Sequence, residues 1–183
     1  MIEIRHLSVT LGDKTVFSDY SVSLPDAGVV LVTGESGIGK TTLLRILCGL
    51  IKPESGTIEG LDRRKISVVF QEPRLLERLT ALENVALVTD RASAEHILKS
   101  LNMENELHIK AGSLSGGQKQ RVSLARAFAF SKDIVLLDEP FTGLDEQNKR
   151  NAAQLIRSAR LAVVISHDPN DADLLSIDEK INL

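Results

Sequence analysis

Residues 34–41, Gly34-Glu35-Ser36-Gly37-Ile38-Gly39-Lys40-Thr41, satisfy every fixed position of the pattern G-x-x-x-x-G-K-[ST]. Glycines let backbone N–H groups turn inward around phosphate oxygens with no Cβ in the way. A helix that starts at the end of such a loop offers its positive end to the same anion. Lys40 is then placed to reach β- and γ-phosphates, Thr41 to offer a hydroxyl to Mg²⁺, and Thr42 to extend the hydroxyl pair. Glu35 and Ile38 are less usual occupants of the loop. A carboxylate repels phosphates, so Glu35 is expected to point outward. A second constellation is Ile134-Val135-Leu136-Leu137-Asp138-Glu139, an apolar strand ending in two carboxylates. Asp138 suits Mg²⁺ held through water, and Glu139 suits orienting and deprotonating an attacking water. Strand alternation sends the two to opposite sides if the strand continues that far. By itself this is a solvated acidic turn before Pro140; after a matched phosphate loop it reads as chemistry. The third is Leu114-Ser115-Gly116-Gly117-Gln118, a short polar turn opening a helix with Ser115 as its N-cap.

These groups need a scaffold, and short apolar runs alternating with helical patterns predict a mostly parallel sheet with helices on its faces. Residues 2–9 alternate like a half-buried strand, Gly12-Asp13 signals a hairpin turn, and residues 15–24 supply its second strand. Together they predict an antiparallel β layer. Buried strands are expected over residues 29–33, 66–70, 134–137 and 161–166, with a further strand at 180–183. Helices are expected over 40–50, around 82–88 and 94–101, and over 115–130 and 145–159.

The chain has 183 residues, enough for one domain with a substantial core. Its apolar runs are far shorter than the roughly 18 to 20 residues of a membrane helix. It opens Ile2-Glu3-Ile4-Arg5, without the basic-then-apolar pattern of a signal peptide, so a cytosolic location is expected. The net charge of −3 gives no broad footprint for nucleic acid, and with aromatics at 3% base stacking is poorly supplied. The single cysteine, Cys48, falls in an apolar helix and is expected to pack in the core.

Taken in chain order, the three constellations resemble the ATP-binding cassette (ABC) ATPases, specifically the nucleotide-binding subunit of a transporter. The resemblance covers essentially the whole chain. Leu114–Gln118 matches the family signature. Gln71, after Ser67-Val68-Val69-Phe70, matches the Q-loop glutamine; Gly143-Leu144-Asp145 the D-loop; and His167, in Ile165-Ser166-His167-Asp168, the switch histidine. The resemblance implies an α/β P-loop NTPase fold, with a RecA-like mostly parallel sheet, the N-terminal antiparallel layer and an inserted helical subdomain. It implies a single nucleotide-binding domain, in which residues 1–71 and 126–183 form the ATP-binding core with its β layer and residues 72–125 the helical signature subdomain. It further implies ATP hydrolysis with Mg²⁺. Lys40, Gln71, Glu139 and His167 would be catalytic, and Thr41, Gln71 and Asp138 would serve the metal. Nucleotide contacts would come from residues 34–42 and Leu11, and from Ser115, Gly116, Gly117, Gln118 and Asp145 of an opposing subunit.

The implied machine is a head-to-tail dimer, of like or unlike chains, closed on two ATP. It would drive separate transmembrane permease subunits from the cytoplasmic face, with no nucleic-acid partner. Gln71-Glu72-Pro73-Arg74-Leu75-Leu76 and Leu79–Val85 resemble the importer-type pattern, so import is favoured over export. A non-transport switch that signals across the membrane would share the chemistry and differ only in partners. Leu75, Leu76 and Leu79 fit either a groove for a partner helix or the packing of their own segment. Leu11 stands where the family carries an adenine-stacking aromatic, which implies weaker nucleotide affinity.

Overall fold

The computed structural model describes residues 1–61 and 65–183. Five strands form a sheet in the order β5-β6-β7-β3-β8. They are β3 (Gly28–Thr33), β5 (Ile66–Val69), β6 (Ile134–Asp138), β7 (Leu161–Ile165) and β8 (Glu179–Asn182), and every neighbouring pair is parallel. Two of these strands, β6 and β7, are buried at all five positions. That accounts for their unbroken apolar runs, since a parallel sheet covered on both faces has no side left for water.

Alternation along these strands separates two cores. Ile134, Leu136, Val163 and Val30 point into one, with β1 (Ile2–Leu11), β2 (Lys14–Leu24) and α1 (Lys40–Leu47). Val135, Leu137, Val164 and Leu31 point into the other, with α2 (Ala81–Ala86), α3 (Arg91–Ser100), α4 (Gly116–Phe130) and α5 (Glu146–Ile156). The antiparallel layer is a second sheet, ordered β2-β1-β4, with β4 at Ser55–Glu59. Its hairpin turns at Gly12 and Asp13 and pairs Leu11 with Lys14.

Several expected boundaries move. The first helix ends at Leu47 rather than at residue 50, because Gly49 takes φ 74° and its N–H caps Ile46 O at 2.9 Å. The residue 145–159 helix contracts to Glu146–Ile156, with Asp145 as its N-cap. β4 was not foreseen: it is nearly all exposed, so no alternation marks it, and β1 recruits it as an edge partner. The five-residue helix α6 (Asp171–Leu175) was too short to leave a period. Among the described residues, no helix is long and apolar enough to cross a membrane.

Candidate active site

The carboxyl ends of β3 and β6, the start of α1 and the β1–β2 hairpin surround a cavity of about 760 Å³. Strand β3 ends at Thr33, and the loop 34–39 delivers the chain into α1 at Lys40. Gly39 carries φ 126°, and a Cβ there would lie 2.7 Å from Val16 Cγ1 and 2.9 Å from Phe17 Cζ. Only glycine lets the loop pass that close to the β layer. No side chain caps α1, so its first N–H groups have no side-chain acceptor within the chain. Lys40 Nζ donates to Gly34 O and Glu35 O, both at 2.8 Å.

Of the loop residues expected to bind nucleotide, Gly34, Ser36, Gly37, Gly39, Lys40, Thr41 and Thr42 line the cavity. Glu35 and Ile38 do not; both side chains are exposed, which leaves them backbone groups to offer a nucleotide. For Glu35 this is the outward direction that charge repulsion dictates.

Opposite the loop, Thr41 Oγ1 donates to Asp138 Oδ2 at 2.8 Å, and Asp138 is buried. The strand geometry does not extend to Glu139, which sits at φ 51°. A non-glycine residue in that region costs on the order of 1–3 kcal/mol and is kept where the surroundings impose it. Here the imposing contact is Glu139 N–H to Ile165 O at 3.0 Å, across to β7. This left-handed turn, not strand alternation, sends the two carboxylates to different partners: Asp138 to Thr41, and Glu139 Oε1 to His167 Nδ1 at 2.8 Å. The hydrogen bond and the charge of Glu139 together raise the His167 pKa above its ordinary value. Gln71 also lines the cavity. The segment after it is tied to α4, because Arg126 Nη2 donates to Pro73 O at 3.2 Å and Arg74 O at 2.9 Å.

Leu11 lines the far end of the cavity, 41% exposed. Beside it stands Lys14, whose Nζ donates to Gly37 O at 2.8 Å. Sequence reasoning passed over Lys14. Its signal was its place directly across the Gly12-Asp13 turn from Leu11, which puts both side chains at one hairpin tip.

Ser115, Gly116, Gly117, Gln118 and Asp145 lie outside this cavity. Ser115 is the N-cap of α4 in a capping box: Gln118 N–H donates to Ser115 Oγ at 3.3 Å, and Ser115 N–H to Gln118 Oε1 at 2.8 Å. The Ser115 oxygen accepts in that pair, so its O–H remains available as a donor. Asp145 accepts from Asn148 N–H and Nδ2, each at 2.8 Å, and the Asn148 N–H bond above all lowers its pKa. Signature and D-loop touch within the chain: a Cβ on Gly117 would lie 2.3 Å from Gly143 O.

The family model described as ABC transporter matches residues 17–142. The chain belongs to the ABC transporter family. The aliphatic sulfonates import ATP-binding protein SsuB 1 of Paracoccus denitrificans is 35% identical, over 96% of this chain and 76% of its own length. The sulfate/thiosulfate import ATP-binding protein CysA of Vibrio vulnificus is 32% identical, over 93% of this chain and 57% of its own length. Among solved structures, the dimeric bacterial ABC transporter cassette MJ0796 superposes with a TM-score of 0.88 at 29% identity, covering 100% of this chain and 94% of that one. A post-hydrolysis dimer of the same cassette, bound to ADP and Pi, gives 0.86. As an ABC ATP-binding subunit the chain is an ATP-binding ATPase coupled to transport, and its fold is the ABC cassette.

Proposed function

We propose that this chain is the motor subunit of an ABC importer, and that two cassettes close head to tail on two ATP. The observation that carries the reading is the division of the site. Lys40, Thr41, Gln71, Asp138, Glu139 and His167 share one cavity, while Ser115 and Gly116 lie exposed outside it at the start of α4. A helix N-terminus with a free hydroxyl suits a γ-phosphate, and a second cassette can bring one to each cavity. Phosphate charge would be met by Lys40, by the loop N–H groups and by Lys14 at the hairpin tip, with Leu11 giving the base aliphatic contact only. Lys40 would move from the loop carbonyls to β- and γ-oxygens.

Thr41 Oγ1 and Asp138 Oδ2 are hard oxygen donors held 2.8 Å apart at the foot of the loop. They fit Mg²⁺, which takes few protein ligands and completes its shell with water and phosphate; Gln71 is the third residue we assign to it. When bound, the ion supplies charge neutralisation across the β- and γ-phosphates. Glu139, ionised, accepts a proton from the water it orients. His167, protonated on both ring nitrogens, would donate Nδ1–H to Glu139 Oε1 and Nε2–H to the γ-phosphate. The packing of α2 and α3 against α4 supports a signature unit of residues 72–125, and the Arg126 bonds to residues 73 and 74 couple its Q-loop edge to the core segment that begins at residue 126.

For the permease contact we assign Leu76, which is 52% exposed, while Leu75 packs against the core. The transmembrane subunits are separate chains, and the cassette works on the cytoplasmic face. The names of the relatives support import of a sulfur oxyanion class, sulfonate or sulfate. Light scattering of Glu139→Gln with and without ATP tests the closure: an ATP-dependent step from monomer to dimer supports it. ATP binding by a persistent monomer contradicts self-sufficient closure by one chain type.

A further inference from the structure

We propose that Asp171 is the positioning residue for His167, acting through Ser166. The proposal rests on the reading of His167 as the γ-phosphate contact.

His167 has little packing of its own: its side chain is 80% exposed. Its direction is set by its hydrogen bond to Glu139 Oε1 and by the backbone that carries it to that partner. Ser166 and Asp171 are both buried, at 2% and 3% exposure. Ser166 Oγ–H donates to Asp171 Oδ2 at 2.5 Å, and the same oxygen accepts Asp168 N–H at 3.1 Å. One hydroxyl thus pins the residues before and after His167 in a tight side-chain turn. Asp171 fixes that hydroxyl from the first position of α6, and its own N–H returns to Asp168 O at 3.2 Å. The second anchor is Lys149 of α5, whose Nζ lies 3.3 Å from Asp168 Oδ2.

Asp171 is an expensive residue to keep there. Its Oδ1 is buried with no hydrogen-bond partner among the described residues, a destabilising arrangement that an apolar side chain would avoid. The carboxyl group serves the turn around His167, and that turn holds Nδ1 at 2.8 Å from Glu139 Oε1. Nothing in the phosphate loop depends on it, since neither Ser166 nor Asp171 lines the cavity.

The test uses the full chain as Asp171→Ala, Asp171→Asn, Ser166→Ala and His167→Ala. ATPase kinetics, ATP titration calorimetry and NMR titration of the His167 ring are read on each. Asp171→Ala and Ser166→Ala should each lower kcat about tenfold or more through misplacement, with ATP affinity unchanged. Asp171→Asn, whose amide oxygen still accepts from Ser166, should stay near wild type. Combining Ser166→Ala with Asp171→Ala should be no worse than the worse single, because both remove one pin. The groups facing His167 are Glu139, Asp168 and Asp171. Its titration midpoint should fall toward the ordinary histidine value in Asp171→Ala and less so in Asp171→Asn; both lack the carboxylate, so the difference isolates geometry. Wild-type kcat in Asp171→Ala, equal damage in Asp171→Asn, or equal midpoints in the two variants overturns the proposal. Wild-type kcat in His167→Ala instead overturns the role given to His167, and the midpoints still decide whether Asp171 positions it.

Discussion

Replacing Ser115 by aspartate separates folding from closure. Asp is as good an N-cap as Ser, so Ser115→Asp keeps the acceptor for Gln118 N–H and the start of α4. Its stability should match wild type, whereas Ser115→Ala, which loses the cap, should cost about 1 kcal/mol. In a domain of this size that lowers Tm by about 2–4 °C. In a closed dimer the same aspartate would face a γ-phosphate. Two like charges about 4 Å apart repel by about 4 kcal/mol at the effective dielectric of a protein surface. That corresponds to about a thousandfold weaker closure for each of the two sites in the dimer. The assay is light scattering against ATP concentration in the Glu139→Gln background, with thermal melts beside it. Ser115→Asn, a neutral cap, controls for size. If Ser115→Asp melts normally and still dimerises at the wild-type ATP concentration, the signature does not meet phosphate in trans.

Five further outcomes are expected. Glu139→Gln should lower ATP turnover by about 10² to 10⁴-fold, the usual worth of a general base, measured by phosphate release. Leu11→Tyr, which adds a π-face at the end of the cavity, should gain about 1–3 kcal/mol of stacking and tighten ATP about 5- to 150-fold by calorimetry. Gly117→Ala should destabilise the fold by about 1–3 kcal/mol, because its Cβ meets Gly143 O. Gly116→Ala has no atom within 4 Å of the added carbon and should melt like wild type. Finally, Glu139 raises the His167 pKa, so the pair favours the folded state below the ordinary histidine value of about 6.5 and loses that contribution as pH rises through the raised pKa. Melts of Glu139→Gln should show this dependence weakened, since Asp168 and Asp171 still act on His167.

Local sequence determined those parts of the site whose chemistry is confined to neighbouring residues. The loop 34–41 must be glycine-rich to turn N–H groups inward, and its lysine and threonine follow at fixed offsets, so Lys40 and Thr41 were legible from spacing alone. The capping box of Ser115 and Gln118 is likewise a three-residue relation, and the buried strands β6 and β7 declared themselves as unbroken apolar runs. Only the tertiary structure decided contacts between distant segments. The separation of Asp138 from Glu139 depends on the left-handed turn that Ile165 O imposes from β7. Lys14 joined the site because the hairpin folds over the phosphate loop, and β4 became a strand because β1 had an open edge. The pin at Ser166 and Asp171 was illegible because α6 is a single short helix with no period to betray it. Hydrogen bonds and burial at such points depend on which elements meet, and no local pattern of residue types encodes that meeting.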